Sequence, residues 1–493
     1  MQLGFVIDQR SCIGCHACTV ACKAENGVAI GNFRTWVKYV ESGTFPDSRR
    51  DFAVLRCNHC ATAPCARICP VTALHKRADG VVDLDRDACI GCGACMQACP
   101  YDAIYLDEDT GVAGKCHLCA HRLERKLEPA CVTVCPTESI RVVDLHDRAD
   151  PENAPIVARE TSVRRPECRT GPSVHYLGAS PLTLAPVAAS RPAMWQWAER
   201  PPWRPEPWPA SAPSVPGAQV VLEPVPRVRW GLPVSAFVLA KATAAGVGAL
   251  APFVAGPAWR GPALALGAIV LAAALLVADL GRPERAWTML TRPNPRSWLV
   301  RGAFFLTAFG VAQGLALVAA LAGLPGGRAL ALAGAVLAPA VAGYTAALFA
   351  QCAGRDSWRA PWVLPRLLAQ AVACGGAALA AFGASSLLPW VALALVMLVA
   401  FALVERRASH PTDSARTAAA FHRALRPLGL PPLLVLGGTL LLTLALTLTV
   451  TLIPALTPTL TLTLIPLLTL IVLGALLLEE HAWLRAGQLV PNS

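Results

Sequence analysis

The chain has 493 residues, 54% hydrophobic and 15% charged, with a formal net charge of +11. Such a length suits two or more domains, and the apolar share is too high for an ordinary soluble protein. The positive charge is loop arginine around hydrophobic runs, not basic and aromatic residues sharing one face, so it favours a membrane protein over a nucleic-acid binder.

Composition divides the chain into residues 1–179, a linker at 180–229 and an apolar part at 230–487. The first 150 residues are nearly neutral, with 17 Lys/Arg against 19 Asp/Glu, and hold 16 of the 19 cysteines. Short pieces such as "GVVDLD" and "SIRVVDL" read as strands. The opening "MQLGFVIDQR" shows no basic n-region, apolar h-region or twin arginine, so no export signal is expected there.

Four cysteine groups follow in order: Cys12, Cys15, Cys18 and Cys22; Cys57, Cys60, Cys65 and Cys69; Cys89, Cys92, Cys95 and Cys99; Cys116, Cys119, Cys131 and Cys135. Disulfides are the competing reading in a short secreted chain. Zinc would take four thiolates per ion from two CxxC knuckles. Here a fourth cysteine closes each group three residues after the last, followed in three groups by Pro70, Pro100 or Pro136. That is the bacterial iron–sulfur run, in which three cysteines grip one cubane and the fourth ligates the other cluster of a pair. Sixteen thiolates supply four [4Fe–4S] clusters. Spacing does not set which groups pair. With the ligand count complete, His16, His59 and His117 read as packing groups beside the ligands, and Cys168, Cys352 and Cys374 as ordinary small residues.

The linker segment "ERPPWRPEPWPASAPSVP" cannot make a helix and should run extended. Eight apolar stretches of bilayer-crossing length come next, near 233–255, 262–280, 299–323, 327–350, 364–383, 386–404, 430–453 and 456–478. The last two are Leu/Thr-rich. Their alternation would suit a strand, but threonine hydroxyls can bond back to helix carbonyls, and helix is expected.

With the N-terminus on side one, sixteen arginines fall on that side and only Arg260 and Arg328 on side two. The positive-inside rule then puts side one, with the cysteine domain, in the cytoplasm. The competing explanation is that these arginines dock the cysteine domain or a partner. Ionisable groups at membrane depth point to function. Asp279 closes the second span, with a salt bridge to Arg282 or Arg285 as the plain alternative. Lys241 lies in the first span, with snorkelling as its alternative. Tyr344 lies in the fourth.

The segments "CIGCHACTVAC", "RCNHCATAPCARICP", "CIGCGACMQACPYDAI" and "KCHLCAHRLERKLEPACVTVCP" resemble the four-cluster electron-transfer subunits of molybdopterin oxidoreductases, such as dimethyl sulfoxide, polysulfide and nitrate reductases. The resemblance implies an α+β ferredoxin-like double dicluster fold. It also implies cluster sets of Cys12, Cys15, Cys18 and Cys135; of Cys22, Cys116, Cys119 and Cys131; of Cys57, Cys60, Cys65 and Cys99; and of Cys69, Cys89, Cys92 and Cys95. No cysteine is replaced, so no three-iron cluster is expected.

The segments "DLGRPERAWTMLTRPNPRSW" and "GYTAALFAQ…WVLPRLLAQAVACGGAAL" resemble the eight-helix quinone-binding anchors of the NrfD type, and the tail "EEHAWLRAGQ" resembles fused members. This implies an all-α transmembrane bundle with a menaquinone or ubiquinone headgroup near the iron–sulfur face. Asp279, Arg282 and Tyr344 are the positions that fit: an acid to exchange protons, a cation to hold it and a phenol to hydrogen-bond a quinone oxygen. Many members of that family face the periplasm, against the arginine count. The expectation is therefore an inner-membrane electron-transfer and anchor subunit, working between the quinone pool and a molybdopterin catalytic subunit. A quinol dehydrogenase subunit feeding cytochromes, or a plain anchor without quinone chemistry, are the alternatives.

Overall fold

Strand Leu3–Asp8 buries Phe5, Val6 and Ile7 almost completely, so it can only be an interior strand. It pairs antiparallel with Ile140–Asp144 and parallel with Val174–Leu177, which Thr161–Ser162 flanks. Both "GVVDLD" and "SIRVVDL" are strands as expected, Val82–Leu84 and Ile140–Asp144. The structure is a computed structural model, which describes residues 1–186, 189–190, 215–220, 228–407, 410, 412–425, 431–452, 457–490 and 492. A long hairpin, Thr35–Thr44 with Asp47–Arg56, forms a second sheet, and Val215–Val220 adds to its edge. Most of the expected linker lies outside the described residues. Two short hairpins, Leu74–Lys76 with Val82–Leu84 and Ile104–Leu106 with Ala113–Lys115, follow the second and third cysteine groups.

The cysteine groups shape their own surroundings. Short helices Pro64–Ile68 and Ala94–Ala98 each end at the group's fourth cysteine. Cys69 and Cys99 have ψ of 120° and 115°, the extended backbone that a following proline imposes. The Cys–Pro step therefore stops the helix and carries the last thiol away from the turn that holds the other three.

Among the described residues, eight helices are long and apolar enough to cross a membrane: Leu232–Phe253, Arg260–Ala278, Trp298–Leu321, Gly327–Gln351, Val363–Ala381, Ser385–Glu405, Pro432–Leu452 and Thr463–Leu489. Each matches an expected span. The Leu/Thr run is helical, as a spanning segment must be to satisfy its own backbone, and Thr439, Thr443 and Thr447 satisfy their hydroxyls by donating to carbonyls four residues back, at 2.7–2.8 Å. The last span, expected to end near 478, continues to Leu489 because its acids find partners inside the bundle. Arg366 donates to Glu480 at 2.8 Å, and His422 meets Glu479 at 3.3 Å. His422 belongs to an unanticipated amphipathic helix, Asp413–Ala424, capped by Thr412 and packed through Phe421 against Ala486 and Val490.

Lys241 does not snorkel. It is fully buried, with Nζ donating to Ala342 O at 2.9 Å and Thr345 Oγ1 at 2.5 Å. An ammonium at that depth is tolerated only with such partners.

Candidate functional site

The cysteine domain sits on the side-one end of the bundle, and the bundle's loops hold the cluster loops directly. Gly281 N donates to Gly91 O at 3.2 Å and Arg282 N to Ile90 O at 3.1 Å. A Cβ on Gly111 would lie 2.3 Å from Gly281 O, so only glycine permits this backbone approach. Asn294 Nδ2 donates to Cys69 O at 2.8 Å, Ser297 Oγ to Ile68 O at 2.7 Å and Trp230 Nε1 to Cys92 O at 3.1 Å. Arg285 reaches Cys89 O at 3.2 Å, and Arg282 Nε reaches Thr110 O at 2.6 Å. Several side-one arginines therefore dock the cysteine domain, which is the competing explanation of the charge bias.

All 19 cysteines are unbridged thiols. The fold brings the first group to the fourth and the second to the third. Cys135 is an electrostatic neighbour of Cys12, and Cys131 of both Cys18 and Cys22. Asn26 Nδ2 reaches Cys22 Sγ at 3.7 Å and Cys119 Sγ at 3.9 Å. Cys99 neighbours Cys65 and Cys57, and Cys92 neighbours Cys69. Burial pushes the thiols of Cys60 and Cys65 up to about 12. Cys135 departs from this pattern: burial raises it, but hydrogen bonds from Thr137 and Ser139 outweigh that and hold it below its usual value.

Donors converge on the sulfurs. Ser139 N reaches Cys135 Sγ at 3.3 Å, Leu118 N reaches Cys116 Sγ at 3.4 Å and Ala113 N reaches Cys89 Sγ at 3.5 Å. Arg56 is 1% exposed, with Nη1 3.3 Å from Cys131 Sγ and its guanidinium 4.3 Å over the Phe5 ring. Its Nε and Nη2 have no partner among the described residues. A buried cation needs an anion, and a thiolate-ligated iron–sulfur cube is anionic. The donor set therefore fits such a group.

The histidines beside these ligands have other work. His16 Nε2 meets the Tyr39 hydroxyl at 2.9 Å, His59 Nδ1 accepts from Val82 N at 3.2 Å, and His117 stacks on His121.

Below the third group lies a narrow, mostly apolar cavity of about 50 Å³, walled by Cys92, Trp230, Asp279, Leu299, Thr345 and Leu348 among others. Asp279 caps the second span, and its carboxylate lies 3.7 Å from Arg229 rather than beside Arg282 or Arg285. Burial pushes the Asp279 carboxyl up, and the Arg229 guanidinium pulls it back only in part. Of the three expected quinone-site residues, Asp279 alone lines this cavity. Arg282 points to the cysteine domain. Tyr344 lies one residue from the wall, with the Lys241 ammonium 4.9 Å from its ring centroid. Arg229, Trp230 and Thr345 were missed. The signal for the first two was "RVRWG", an arginine and a tryptophan at the mouth of the first span.

Residues 221–492 match the polysulphide reductase, NrfD family. The chain belongs to that family. Residues 49–145 match the 4Fe-4S dicluster domain family, so one NrfD-family chain carries both units. Among relatives, a subunit of the tetrathionate reductase of Salmonella typhimurium is 38% identical over 200 residues, covering 40% of this chain and 80% of that protein. The thiosulfate reductase electron transfer subunit of Salmonella typhi is 40% identical over 167 residues, covering 33% and 85%. The arsenate respiratory reductase iron-sulfur subunit of a Shewanella strain is 33% identical over 227 residues, covering 36% and 96%. The chain is thus an iron–sulfur unit joined to an NrfD-type multi-pass membrane unit.

Proposed function

We propose that this chain transfers electrons between membrane quinol and a separate molybdopterin-type catalytic subunit, through four [4Fe–4S] clusters held by the sixteen grouped cysteines. The supporting observation is that Cys92, a ligand of the third group, lines the same cavity as Asp279. Bound clusters would supply one-electron steps and bound quinone a two-electron, two-proton couple. The chain's residues do the rest. Cys69, Cys89, Cys92 and Cys95 hold the group nearest the bilayer. Asp279, raised by burial and drawn back only in part by Arg229, takes or gives a proton at its carboxylate. Leu299, Leu348 and Trp230 exclude water from the space between the two. The relatives' names, as subunits of reductases, support a catalytic partner. Side-one arginine excess supports a cytoplasmic cysteine domain, which a C-terminal reporter active only in the periplasm would contradict.

Filling the cavity tests the reading. Leu348→Trp should abolish bleaching of the iron–sulfur absorbance by quinol in nanodiscs while iron content stays unchanged. Bleaching at the wild-type rate would leave the helices as a plain anchor.

A further inference from the structure

The side-two end of the bundle holds a larger cavity, of about 530 Å³. Helices Arg260–Ala278 and Gly327–Gln351 both begin there, and their first-turn residues Gly261 and Gly327 line it. First-turn N–H groups lack helical partners and carry the positive end of the helix dipole. Arg260 and Arg328, the two side-two arginines, also line it, and Arg260 is anchored by donating from Nη1 to Phe382 O. The Asp and Glu residues after position 228 all fall toward the other end, so no carboxylate neutralises this positive charge.

Gln313 reaches the same space from the middle of Trp298–Leu321. It is 1% exposed, and its Nε2 has no hydrogen-bond partner among the described residues. A buried donor left unpaired costs free energy that an entering acceptor would relieve. Around these polar groups the wall is apolar and includes Ala316, Ala319, Leu324 and Leu379. The arrangement has a cationic mouth, one deeper donor and greasy sides.

We propose that this cavity binds the phosphate headgroup of a membrane phospholipid. Arg260, Arg328, the Gly261 N–H and the first-turn N–H groups of Gly327–Gln351 hold the phosphate; Arg260 N itself already donates to Pro257 O, and Pro262 has no N–H to give. Gln313 Nε2 donates to an ester carbonyl of the glycerol region, and the acyl chains run along the alanine and leucine wall. This site is independent of the quinone cavity at the opposite end.

Native mass spectrometry of the full chain, released from phosphatidylglycerol nanodiscs, tests this. One phosphatidylglycerol per chain should survive activation that strips the remaining lipid. In titrations, diacylglycerol and inorganic phosphate should each bind at least about tenfold more weakly, because each lacks half of the recognised chemistry. Arg328→Gln should weaken phosphatidylglycerol by about tenfold, and Arg260→Gln with Arg328→Gln by more. Gln313→Leu should weaken it without abolishing it. Arg328 is exposed, so its replacement leaves the helices intact, and circular dichroism checks that. Equal binding of diacylglycerol, or unchanged binding by the double variant, overturns the proposal. Inorganic phosphate bound as tightly as lipid would leave an ion site and overturn the lipid reading.

Discussion

The buried side-chain amide of Gln97 donates to Gln488 Oε1 at 2.9 Å, joining positions 391 residues apart. Gln97 lies between Cys95 and Cys99, and its own Oε1 accepts from Arg355 Nε at 2.9 Å. Gln488 Oε1 also accepts from the backbone N–H groups of Arg229 and Trp230, at 3.0 and 2.9 Å. One glutamine at the end of the last span thus fixes a cluster loop and the mouth of the first span together. Gln488→Leu would leave three donors unpaired, and the two buried ones, Gln97 Nε2 and Trp230 N, cost about 1–3 kcal/mol each. The expected outcome is a loss of about 3 kcal/mol or more in thermal unfolding of the detergent-solubilised chain. Retained stability would show that docking rests on other contacts.

Arg56 places a buried positive charge between thiols of the first and fourth groups. A nearby cation favours the reduced, more negative state of an iron–sulfur cluster. Arg56→Gln should lower the midpoint potential of one such cluster by on the order of 60 mV, a tenfold change in a one-electron equilibrium. Arg56→Lys should restore most of it. Redox titration followed by electron paramagnetic resonance reads both, with iron content as the control for assembly.

If Asp279 exchanges the quinol protons as proposed, it sets the pH dependence. Its carboxyl is raised by burial and lowered by Arg229. As a base accepting protons from quinol, it works when deprotonated, so the rate should climb as pH rises through its pKa. Removing Arg229 leaves burial unopposed. Arg229→Gln should therefore move this limb to higher pH, and Asp279→Asn should erase it. An unmoved limb in both variants would mean another group titrates.

The exchange of fourth cysteines between groups is open to a direct comparison. Cys135→Ser should perturb the same resonance signal as Cys12→Ser, and Cys22→Ser the same one as Cys119→Ser. If Cys22→Ser instead behaves like Cys18→Ser, each group serves its own cluster and the pairing is wrong.

Much of this was legible in the sequence. The two-two-three spacing and the Cys–Pro step are local, so the turn, the helix stop and the ligand chemistry follow from a few adjacent residues. The spans follow from length and hydropathy, and even the Leu/Thr run obeyed a local rule. What escaped reading depends on distant partners. The span expected to stop near 478 runs on through Glu479 and Glu480, because Arg366 and His422 pair with them in place. Snorkelling was an open alternative for Lys241, and what closes it is Thr345, 104 positions away. Asp279 paired with Arg229, fifty positions back, instead of the arginines next to it in sequence. Gln97 and Gln488 carried no signal at all, because an uncharged amide says nothing about where its partner lies.

The most direct measurement is iron content and resonance of the anaerobically purified full chain, before and after adding quinol in nanodiscs. Sixteen iron atoms per chain are expected, with signals of reduced [4Fe–4S] clusters appearing on quinol addition. Zinc or cystine in place of iron, or fully loaded clusters that quinol leaves oxidised, would contradict the account.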